Sequence, residues 1–494
     1  MKRISRIFIS CLATVLILIG MLSKLTNLTE RKYSMEKNTA FFEEKENFDV
    51  LFFGSSRALN AVYPMELWND YGIVSYNLAG HASRIPTTYW VMMNALDYTD
   101  PKLVVIDTYM WLDDYKMSSP FSYMHSLLDC FPLSIRKVQA VWDLFNDPVR
   151  EAAIKDGIIE NEQKSRLELL WSFGIYHSRW NELTREDFEP VYKLEKGAEA
   201  RVGVRRVDVP ELIPPDNVME GDTNATEYLS RMIDECKRRG IQVLLTFYPS
   251  SPGEAIQMQE NRVRKIAEQN NIRFIYFPEE EVVDYNSDFW DQDHMNPSGA
   301  RKVTSYLGKI IRDEYKIPDH RGDSEYSHWA HDYENYIEYK KELFHSAELL
   351  SEYLVLCAGD DVEVVLDIHD PSGLVGNIRL IDLIENLHLE ANSIDEDTDF
   401  ILIGEKEAAE ILKNFRDNGS RALTAEGEAG IYYNDSGEYG IYMDGREVYL
   451  GDGEADTDIE VEIRRNGNVI DRVTAVYDPE TEDYVLHRLN EHEK

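Results

Sequence analysis

The stretch FDVLFFGSSRALN, residues 48–60, decides the fold. Its apolar run stops at Gly54, two serines follow, and a helix-forming segment then begins. This pattern predicts a β-strand, a tight turn and the start of a helix. Such a turn presents Ser55 and Ser56 at the carboxyl edge of a parallel sheet, where reacting groups of open α/β folds collect. The same residues also make an ordinary turn and helix cap, so a catalytic serine needs a partner elsewhere in the chain.

Length, composition and charge bound the class of protein. A chain of 494 residues is too long for one core of the usual size, so two folded domains are expected. A hydrophobic content of 43% with 11% aromatic residues indicates that most of the chain is globular. The formal charge of −39 argues against nucleic-acid binding, which requires a basic surface. The four cysteines are widely spaced and outline neither a disulfide framework nor a metal site.

The N-terminus predicts a membrane anchor. Lys2, Arg3 and Arg6 precede an uncharged apolar run over residues 7–23, long enough at about 1.5 Å per residue to cross most of a bilayer. The run lacks the short core and clear cleavage site of a signal peptide, which favours an uncleaved signal anchor over a cleaved signal. The basic flank predicts that residues 1–23 form a cytoplasmic tip followed by the signal anchor, and that the body of the protein lies outside the cytoplasm. Residues 24–47 are polar, as in a short stalk.

Four further apolar runs continue the strand pattern. They lie at residues 73–78, 103–107, 243–247 and 273–277, with helical patterns between most of them. Repeated βαβ units predict a parallel five-stranded sheet in a flavodoxin-like three-layer α/β fold. The pattern lapses over residues 111–224, which we interpret as a helical insertion.

The insertion contains two polar features. His177 and Arg179, in YHSRWNELTREDF, are candidate contacts to a sugar or an acyl donor, although a buried packing role explains the same residue types. Arg201, Arg205 and Arg206 make KGAEARVGVRRV basic within an acidic chain. This stretch either meets an anionic polymer or neutralises neighbouring carboxylates.

A motif far downstream supplies the partner that a nucleophilic serine needs. In FWDQDHMNPSGARKV, Asp291 and His294 are close enough for one loop to present both. An imidazole activates a serine hydroxyl by accepting its proton, and a carboxylate orients that imidazole. Asp293 is an alternative orienting carboxylate. The pair of aspartates also allows a metal interpretation, for which further ligands are lacking.

The order of serine, aspartate and histidine on the first and last strand-to-helix loops resembles the SGNH (GDSL-type) hydrolase family. The resemblance covers residues 48–318, with GSS at the position of the family's Gly-Asp-Ser. It implies that Ser56 is the nucleophile, that His294 and Asp291 complete a catalytic triad, and that the amides of Ser56 and Gly80 form the oxyanion hole. No cofactor and no metal are implied. Two neighbours of these motifs are candidate substrate contacts, Arg57 and Asn296.

One block departs from the family pattern. After the third strand the family has Gly-x-Asn-Asp, whereas this chain has VVIDTYMW, with Asp107 and no asparagine. The oxyanion hole would then rest on two backbone amides or borrow another donor. Membrane-anchored members of the superfamily that resemble the alginate O-acetylation and teichoic-acid D-alanylation proteins also have irregular third blocks.

The second half of the chain predicts two further regions. Aromatic and leucine residues recur at helical spacing within residues 319–356, which indicates a helical connector. Residues 357–494 contain the strand patterns VEVVLDI and FILIG, each followed by a helical pattern, and then hairpins that turn at residues 435–437, 444–445 and 466–467. This smaller α+β domain loosely resembles an interleukin-like extracellular module, and its expected task is binding or positioning.

Together these patterns predict a membrane-anchored, extracytoplasmic serine esterase or O-acyltransferase that acts on a cell-envelope polysaccharide through an acyl-serine intermediate. Transfer to water and transfer to a sugar hydroxyl share that intermediate, so the sequence leaves both open. The resemblance also implies a separate membrane-bound O-acyltransferase as partner. The alternative is a non-catalytic surface binding or scaffold protein built on a degenerate SGNH domain.

Overall fold

The computed structural model describes residues 2–30, 36–162, 164–189, 191–387, 394–403, 409–413, 421–424, 427–433, 439–443, 446–451 and 457–488. The chain divides into two compact units, each built from segments that are separate in sequence. The first unit comprises Met1–Glu199, Pro210–Glu280 and Thr304–Ala330. The second unit comprises Ala200–Val209, Glu281–Val303 and His331–Lys494.

A five-stranded parallel sheet forms the centre of the first unit, as the sequence predicts. Its strand order is β2-β1-β3-β4-β5, and every neighbouring pair is parallel. In register, Phe52 of the first strand lies beside Asn77 on one side and Val105 on the other. Nearly all of the strand residues are buried, as is usual for a parallel sheet covered on both faces. The strands are β1 (Val50–Phe53), β2 (Ser75–Asn77), β3 (Leu103–Asp107), β4 (Gln242–Phe247) and β5 (Arg273–Tyr276).

Helices connect and cover these strands. Capping residues set several of the boundaries: Ser55 caps the helix after β1, and the next helix begins at Pro64 and is closed by Gly72. Residues 111–224, between β3 and α11, form short helices and irregular segments without a strand in their described part, and we call them the insertion. The helices are α1 (Lys2–Glu30), α2 (Glu36–Glu44), α3 (Ser56–Ala61), α4 (Pro64–Tyr71), α5 (Ile85–Ala95), α6 (Ser122–Leu128), α7 (Ile135–Leu144), α8 (Pro148–Lys155), α9 (Arg166–Leu170), α10 (Phe173–Tyr176), α11 (Asn224–Arg239) and α12 (Glu254–Asn270).

Helix α1 contains one segment, Ile7–Thr26, that is long and apolar enough to cross a membrane, and most of this segment is exposed. The apolar N-terminal helix is thereby confirmed by length and composition. The stalk expected over residues 24–47 looks different: α1 continues to Glu30, and α2 buries Phe41 against Phe48 at 5.5 Å between ring centroids. These aromatic contacts favour a packed helix over a free polar linker.

Two helices contain residues of both units, α13 (Pro297–Asp313) and α14 (Ser327–Ser346). The aromatic spacing that predicts a helix after residue 319 is realised in α14. Trp329 on this helix is fully buried in the first unit, where its indole lies 5.4 Å from that of Trp68 and donates a 2.8 Å hydrogen bond to Glu46 Oε1.

The second unit contains two antiparallel sheets. One has six strands in the order β15-β14-β13-β6-β7-β8, and the other has four in the order β12-β11-β10-β9. Side chains of two further helices and of the six-stranded sheet make a hydrophobic core around Leu354, Leu366 and Leu380. The elements are α15 (Leu350–Ala358), β6 (Glu363–Ile368), α16 (Ile378–Glu385), β7 (Thr398–Ile403), β8 (Ala409–Lys413), β9 (Arg421–Thr424), β10 (Gly427–Tyr433), β11 (Tyr439–Met443), β12 (Arg446–Gly451), β13 (Ile459–Arg465), β14 (Asn468–Asp478) and β15 (Asp483–His487).

The structure corrects one element of this unit. The pattern after FILIG predicts a helix, but residues 409–413 form β8, which pairs antiparallel with β7 through Ile401 and Ile411. Strand pairing here overrides a local composition that also suits a helix. The turn predicted at residues 466–467 joins β13 and β14. The turns predicted at residues 435–437 and 444–445 lie outside the described residues.

Candidate active site

The turn after β1 is shaped by Gly54. Its φ is +151°, and a Cβ atom at this position would lie 2.2 Å from Asp107 Cβ. Only glycine therefore lets β1 and β3 approach so closely at their carboxyl ends. Ser55 follows as the N-cap of α3, its Oγ accepting a 3.3 Å hydrogen bond from the Arg57 amide.

Asp107, the last residue of β3, fixes this turn. Its Oδ2 accepts hydrogen bonds from the Ser55 amide at 2.9 Å and the Ser55 hydroxyl at 2.6 Å, and its Oδ1 accepts one from the Tyr109 amide at 3.2 Å. Burial raises the pKa of Asp107, and the two hydrogen bonds from Ser55 oppose that rise. Ser55 is thus part of the scaffold. Ser56, half-buried in the first turn of α3, is the more accessible of the two serines.

The loop after β2 contains Gly80, the residue predicted to give an oxyanion-hole amide. In the structure this amide donates a 3.0 Å hydrogen bond to the Gly54 carbonyl oxygen, so it ties the two loops together. Asn77 strengthens the same region: its Nδ2 donates to the carbonyl oxygens of Ala58 at 2.9 Å and Val62 at 3.0 Å. The Gly80 donor is already in use, which differs from the role expected for it.

Lys37 of α2 stabilises this loop through two hydrogen bonds. Its Nζ donates to the Asn77 carbonyl oxygen at 2.8 Å and also to that of Ala79. Burial lowers the pKa of Lys37 to about 7, against the opposing influence of Glu199. No sequence signal indicates this role, because Lys37 lies in a polar stretch without a recognisable motif.

Arg57, a candidate substrate contact, is mostly buried, with 7% of its surface exposed. Its guanidinium carbon lies 3.8 Å from the centre of the Tyr109 ring, and its Nη1 donates a 3.3 Å hydrogen bond to Ser250 Oγ. These contacts place a positive charge at the carboxyl ends of β3 and β4. They also leave Arg57 little surface for contact with a substrate.

A buried carboxyl group lies next to these strand ends. Thr108 Oγ1 donates a 2.6 Å hydrogen bond to Glu260 Oε2 of α12, and Glu260 is only 1% exposed. Burial raises the pKa of Glu260 well above its ordinary value. Its Oε1 atom has no hydrogen-bond partner within the described part of the chain.

In the second unit, the loop before α13 brings Asp291 and His294 together as predicted. The Nδ1 atom of His294 lies 2.8 Å from Asp291 Oδ1 and 2.9 Å from Oδ2. Burial alone would raise the pKa of Asp291, but hydrogen bonds from the Asp293 amide and from His294 hold that pKa below its ordinary value. An ionised carboxylate only accepts hydrogen bonds, so Nδ1 bears the proton and Nε2 of a neutral ring has the lone pair.

Buried polar side chains support this loop. Asn296, another candidate substrate contact, is fully buried and caps α13, its Oδ1 accepting a 3.1 Å hydrogen bond from the Gly299 amide. Its Nδ2 donates to the carbonyl oxygens of Ser287 at 2.7 Å and Gly203 at 3.1 Å. Asn296 is therefore used inside the protein. Asp288, which no sequence motif indicates, accepts hydrogen bonds from Ser298 Oγ at 2.7 Å and from Lys302 Nζ at 2.8 Å.

The basic stretch within the insertion, residues 196–207, runs beside the same loop. The Arg205 amide donates to the Phe289 carbonyl oxygen at 2.7 Å, and the Val207 amide donates to that of Tyr285 at 2.8 Å. The guanidinium of Arg201 lies 5.2 Å from the centre of the Trp290 ring, which itself lies 6.1 Å from the His294 ring. Backbone pairing and stacking thus explain the place of this stretch in the fold.

The remaining candidates lie on the insertion. Arg179 is 1% exposed, donates a 2.8 Å hydrogen bond to the Thr29 carbonyl oxygen of α1 and pairs with Asp187, which is the packing role. His177 is exposed, and its Nδ1 lies 2.9 Å from the Gly174 carbonyl oxygen. The predicted site residues divide between the two units. The first unit contains Ser56, Arg57, Gly80, His177 and Arg179, and the second contains Asp291, His294 and Asn296.

Comparisons with known proteins add no assignment. No protein-family model matches the chain. No curated protein matches it either. Within the described residues, no group of three or more His, Cys, Asp or Glu side chains could hold a metal ion. The resemblance to the SGNH family therefore rests on the motifs themselves.

Proposed function

We propose that the protein is a membrane-anchored, extracytoplasmic serine esterase or O-acyltransferase that modifies a cell-envelope polysaccharide. The observation that supports this most is the Asp291–His294 pair, in which both carboxylate oxygens lie within 2.9 Å of Nδ1. This arrangement leaves Nε2 as the basic nitrogen, as a general base for a serine requires. The pair lies in the loop that follows β5, and Ser56 lies directly after β1 of the same parallel sheet.

The proposed reaction has two steps. In the first, Ser56 Oγ attacks the ester carbonyl carbon while His294 Nε2 accepts the hydroxyl proton. The tetrahedral intermediate then expels the alcohol, which receives that proton, and acyl-Ser56 remains. In the second step, His294 deprotonates water or a sugar hydroxyl, which attacks the acyl carbon; the bond from that carbon to Ser56 Oγ then breaks, and His294 returns the proton to Oγ. The mechanism requires the imidazole to come within hydrogen-bond reach of the hydroxyl, about 2.6–3.2 Å.

Asp291 stays ionised throughout this cycle. Its pKa is held below the ordinary value by the hydrogen bonds it accepts, so the carboxylate is charged at neutral pH. A charged carboxylate fixes the Nδ1–H tautomer and stabilises the imidazolium that forms in each step.

The acceptor and the acyl group belong to the proposal through the resemblance alone. An enzyme that transfers an acyl group to a sugar hydroxyl outside the membrane needs a donor on that side. We propose that a separate membrane-bound O-acyltransferase supplies it, with α1 keeping this protein at the membrane surface. Hydrolysis needs no such partner.

The second candidate function is a surface binding or scaffold protein on a degenerate SGNH domain. Two observations favour it. The Gly80 amide already donates a hydrogen bond to the Gly54 carbonyl oxygen. The third block, VVIDTYMW, lacks the asparagine that the family has there. Loss of one oxyanion donor typically costs on the order of a hundredfold or more in rate. The enzyme would therefore need another donor or would be slow.

Labelling by a serine-directed fluorophosphonate separates the two candidates. The full-length protein in detergent micelles is treated with the probe, beside Ser56→Ala, His294→Gln and the control Ser251→Ala, which replaces an exposed serine after β4. If the protein is an enzyme, the wild type and Ser251→Ala take the label, whereas Ser56→Ala and His294→Gln do not. Folded wild-type protein that takes no label, or Ser56→Ala that labels equally, contradicts the catalytic proposal and favours the scaffold.

A further inference from the structure

The outer end of α1 is built into the insertion. Trp171 Nε1 donates a 2.8 Å hydrogen bond to Thr26 Oγ1, and Arg179 Nη1 donates to the carbonyl oxygens of Leu28 at 3.2 Å and Thr29 at 2.8 Å. Thr26 and Thr29 are 5% and 1% exposed. A helix that continued as a free stalk would not bury these residues. The insertion is therefore fixed to the end of the apolar helix.

Two features strengthen the contact between Arg179 and the end of α1. Its cation meets the free carbonyl groups at the C-terminal end of α1, where the helix dipole favours positive charge. It also pairs with buried Asp187, and although burial would raise the pKa of Asp187, hydrogen bonds from Thr184 and Arg179 lower that pKa to about 2. A buried charge pair is costly to break, so α1 and the insertion hold together.

A cavity of about 270 Å³ lies between α1 and the insertion. Ile19, Ser23 and Thr26 of α1 form one wall, and all three belong to the apolar segment Ile7–Thr26. The opposite wall includes Leu133 and Leu167 of the insertion. Because the walls face each other, insertion residues lie at the same depth as the outer part of the membrane-spanning segment.

Apolar side chains of the insertion are exposed at this cavity and on the 3-10 helices that follow α10. Leu167 is 67% exposed, Trp180 70% and Phe188 68%. Helix α10 and the two following 3-10 helices, His177–Asn181 and Arg185–Phe188, all contact α1. Soluble proteins seldom expose such a group, whereas tryptophan and phenylalanine are common at membrane interfaces. We define the apolar face as Leu133, Leu167, Trp171, Ile175, Trp180 and Phe188.

We propose that the apolar face lies in the outer leaflet of the bilayer that α1 spans, with lipid hydrocarbon chains against it and in the cavity. The insertion is then a monotopic interface element that fixes the height of the first unit above the membrane. The proposal rests on the anchored state in the proposed function and is independent of the acyl-transfer chemistry. Lipid is the occupant because α1 contacts the same part of the insertion and its segment Ile7–Thr26 is long and apolar enough to span a bilayer.

Site-directed spin labelling of the full-length protein tests this. The protein is reconstituted into vesicles of phosphatidylcholine and phosphatidylglycerol, in a background with Cys11→Ala and Cys130→Ala; the other two cysteines are buried. Nitroxide labels are placed by Leu167→Cys, Trp180→Cys and Phe188→Cys. Ile17→Cys on α1 reports the bilayer, and Glu268→Cys, exposed on α12, reports water. Accessibility to oxygen, which partitions into lipid, is compared with accessibility to a water-soluble nickel chelate.

The expected result is an oxygen-to-nickel accessibility ratio at the three insertion sites that is severalfold above that at Glu268 and close to that at Ile17. A lipid-like ratio at Ile17 with water-like ratios at all three insertion sites overturns the proposal and assigns the apolar face to a protein partner. A water-like ratio at Ile17 overturns the anchor as well. Fluorophosphonate labelling of the same samples reports the chemistry separately.

Discussion

One carboxylate oxygen of Asp107, Oδ2, accepts hydrogen bonds from both the Ser55 amide, at 2.9 Å, and the Ser55 hydroxyl, at 2.6 Å. These hydrogen bonds join the carboxyl ends of β1 and β3 at the turn that precedes Ser56. They also give a structural role to the block that departs from the SGNH pattern. The aspartate at that position shapes the turn that presents the proposed nucleophile.

Asp107→Asn is expected to destabilise the protein and to reduce fluorophosphonate labelling. All three hydrogen bonds of Asp107 are accepted ones, and an amide group has a single acceptor oxygen. At least one buried N–H or O–H would lose its partner, at a cost of about 1–3 kcal/mol each. Urea unfolding followed by tryptophan fluorescence measures the change. Asp100→Asn, at an exposed residue before β3, is the control, and equal unfolding midpoints for the two variants would refute the role of Asp107.

Asp291→Asn and Asp293→Asn are expected to differ sharply in labelling rate. The asparagine at 291 would turn an N–H towards Nδ1 or favour the wrong tautomer, so the rate should fall by on the order of a thousandfold or more. Asp293 contacts Asp291 Oδ1 through its backbone amide, which asparagine retains. The labelling rate of Asp293→Asn should therefore stay within a few-fold of the wild-type rate. Stopped labelling reactions over time give both rates. The reverse order would identify Asp293 as the orienting carboxylate.

Glu260→Gln is expected to change how stability depends on pH. The folded protein raises the pKa of Glu260 above its ordinary value of 4.5, so it keeps a proton that the unfolded chain has released. The stability contributed by the neutral group is complete below pH 4.5 and is lost as pH rises towards the folded pKa, at up to about 1.4 kcal/mol per pH unit. Glutamine is neutral at every pH and removes this slope.

The comparison for this prediction is the free energy of unfolding at pH 5 and pH 8. Glu260→Gln should gain stability relative to wild type at the higher pH. Glu268→Gln, an exposed position on the same helix, should follow wild type at both. If the two variants behave alike, Glu260 is ionised in the folded protein and the raised pKa is contradicted.

The sheet could be predicted because its signals are local. Each strand is an apolar run bounded by glycine, proline or polar residues, and the chain order of these runs suffices for a parallel sheet. The Asp291–His294 contact was predictable for the same reason, since the partners lie three positions apart in one loop. Local patterns failed at β8, where pairing with β7 decides the conformation.

The missed contacts join residues that are distant in sequence. Asp107 reaches Ser55 over 52 residues, and Arg179 reaches Thr29 over 150. Composition gives no sign of either partner. A polar cluster such as the one around Arg179 suits a sugar site and a buried ion pair equally well until the fold selects one. The polar sequence around Lys37 predicts a stalk, because the buried position of Lys37 depends on the folding of α2 against β2 and its loop.

The capping of α1 by Arg179 has a practical consequence for sample preparation. A shortened chain that begins after the apolar helix would keep the Arg179 cation and lose the two carbonyl groups that it caps. The same cut would open one wall of the cavity and leave Trp171 without its hydrogen bond to Thr26. Such a fragment should aggregate or need detergent despite its large negative charge. Purification of the intact chain in a membrane mimetic avoids this loss.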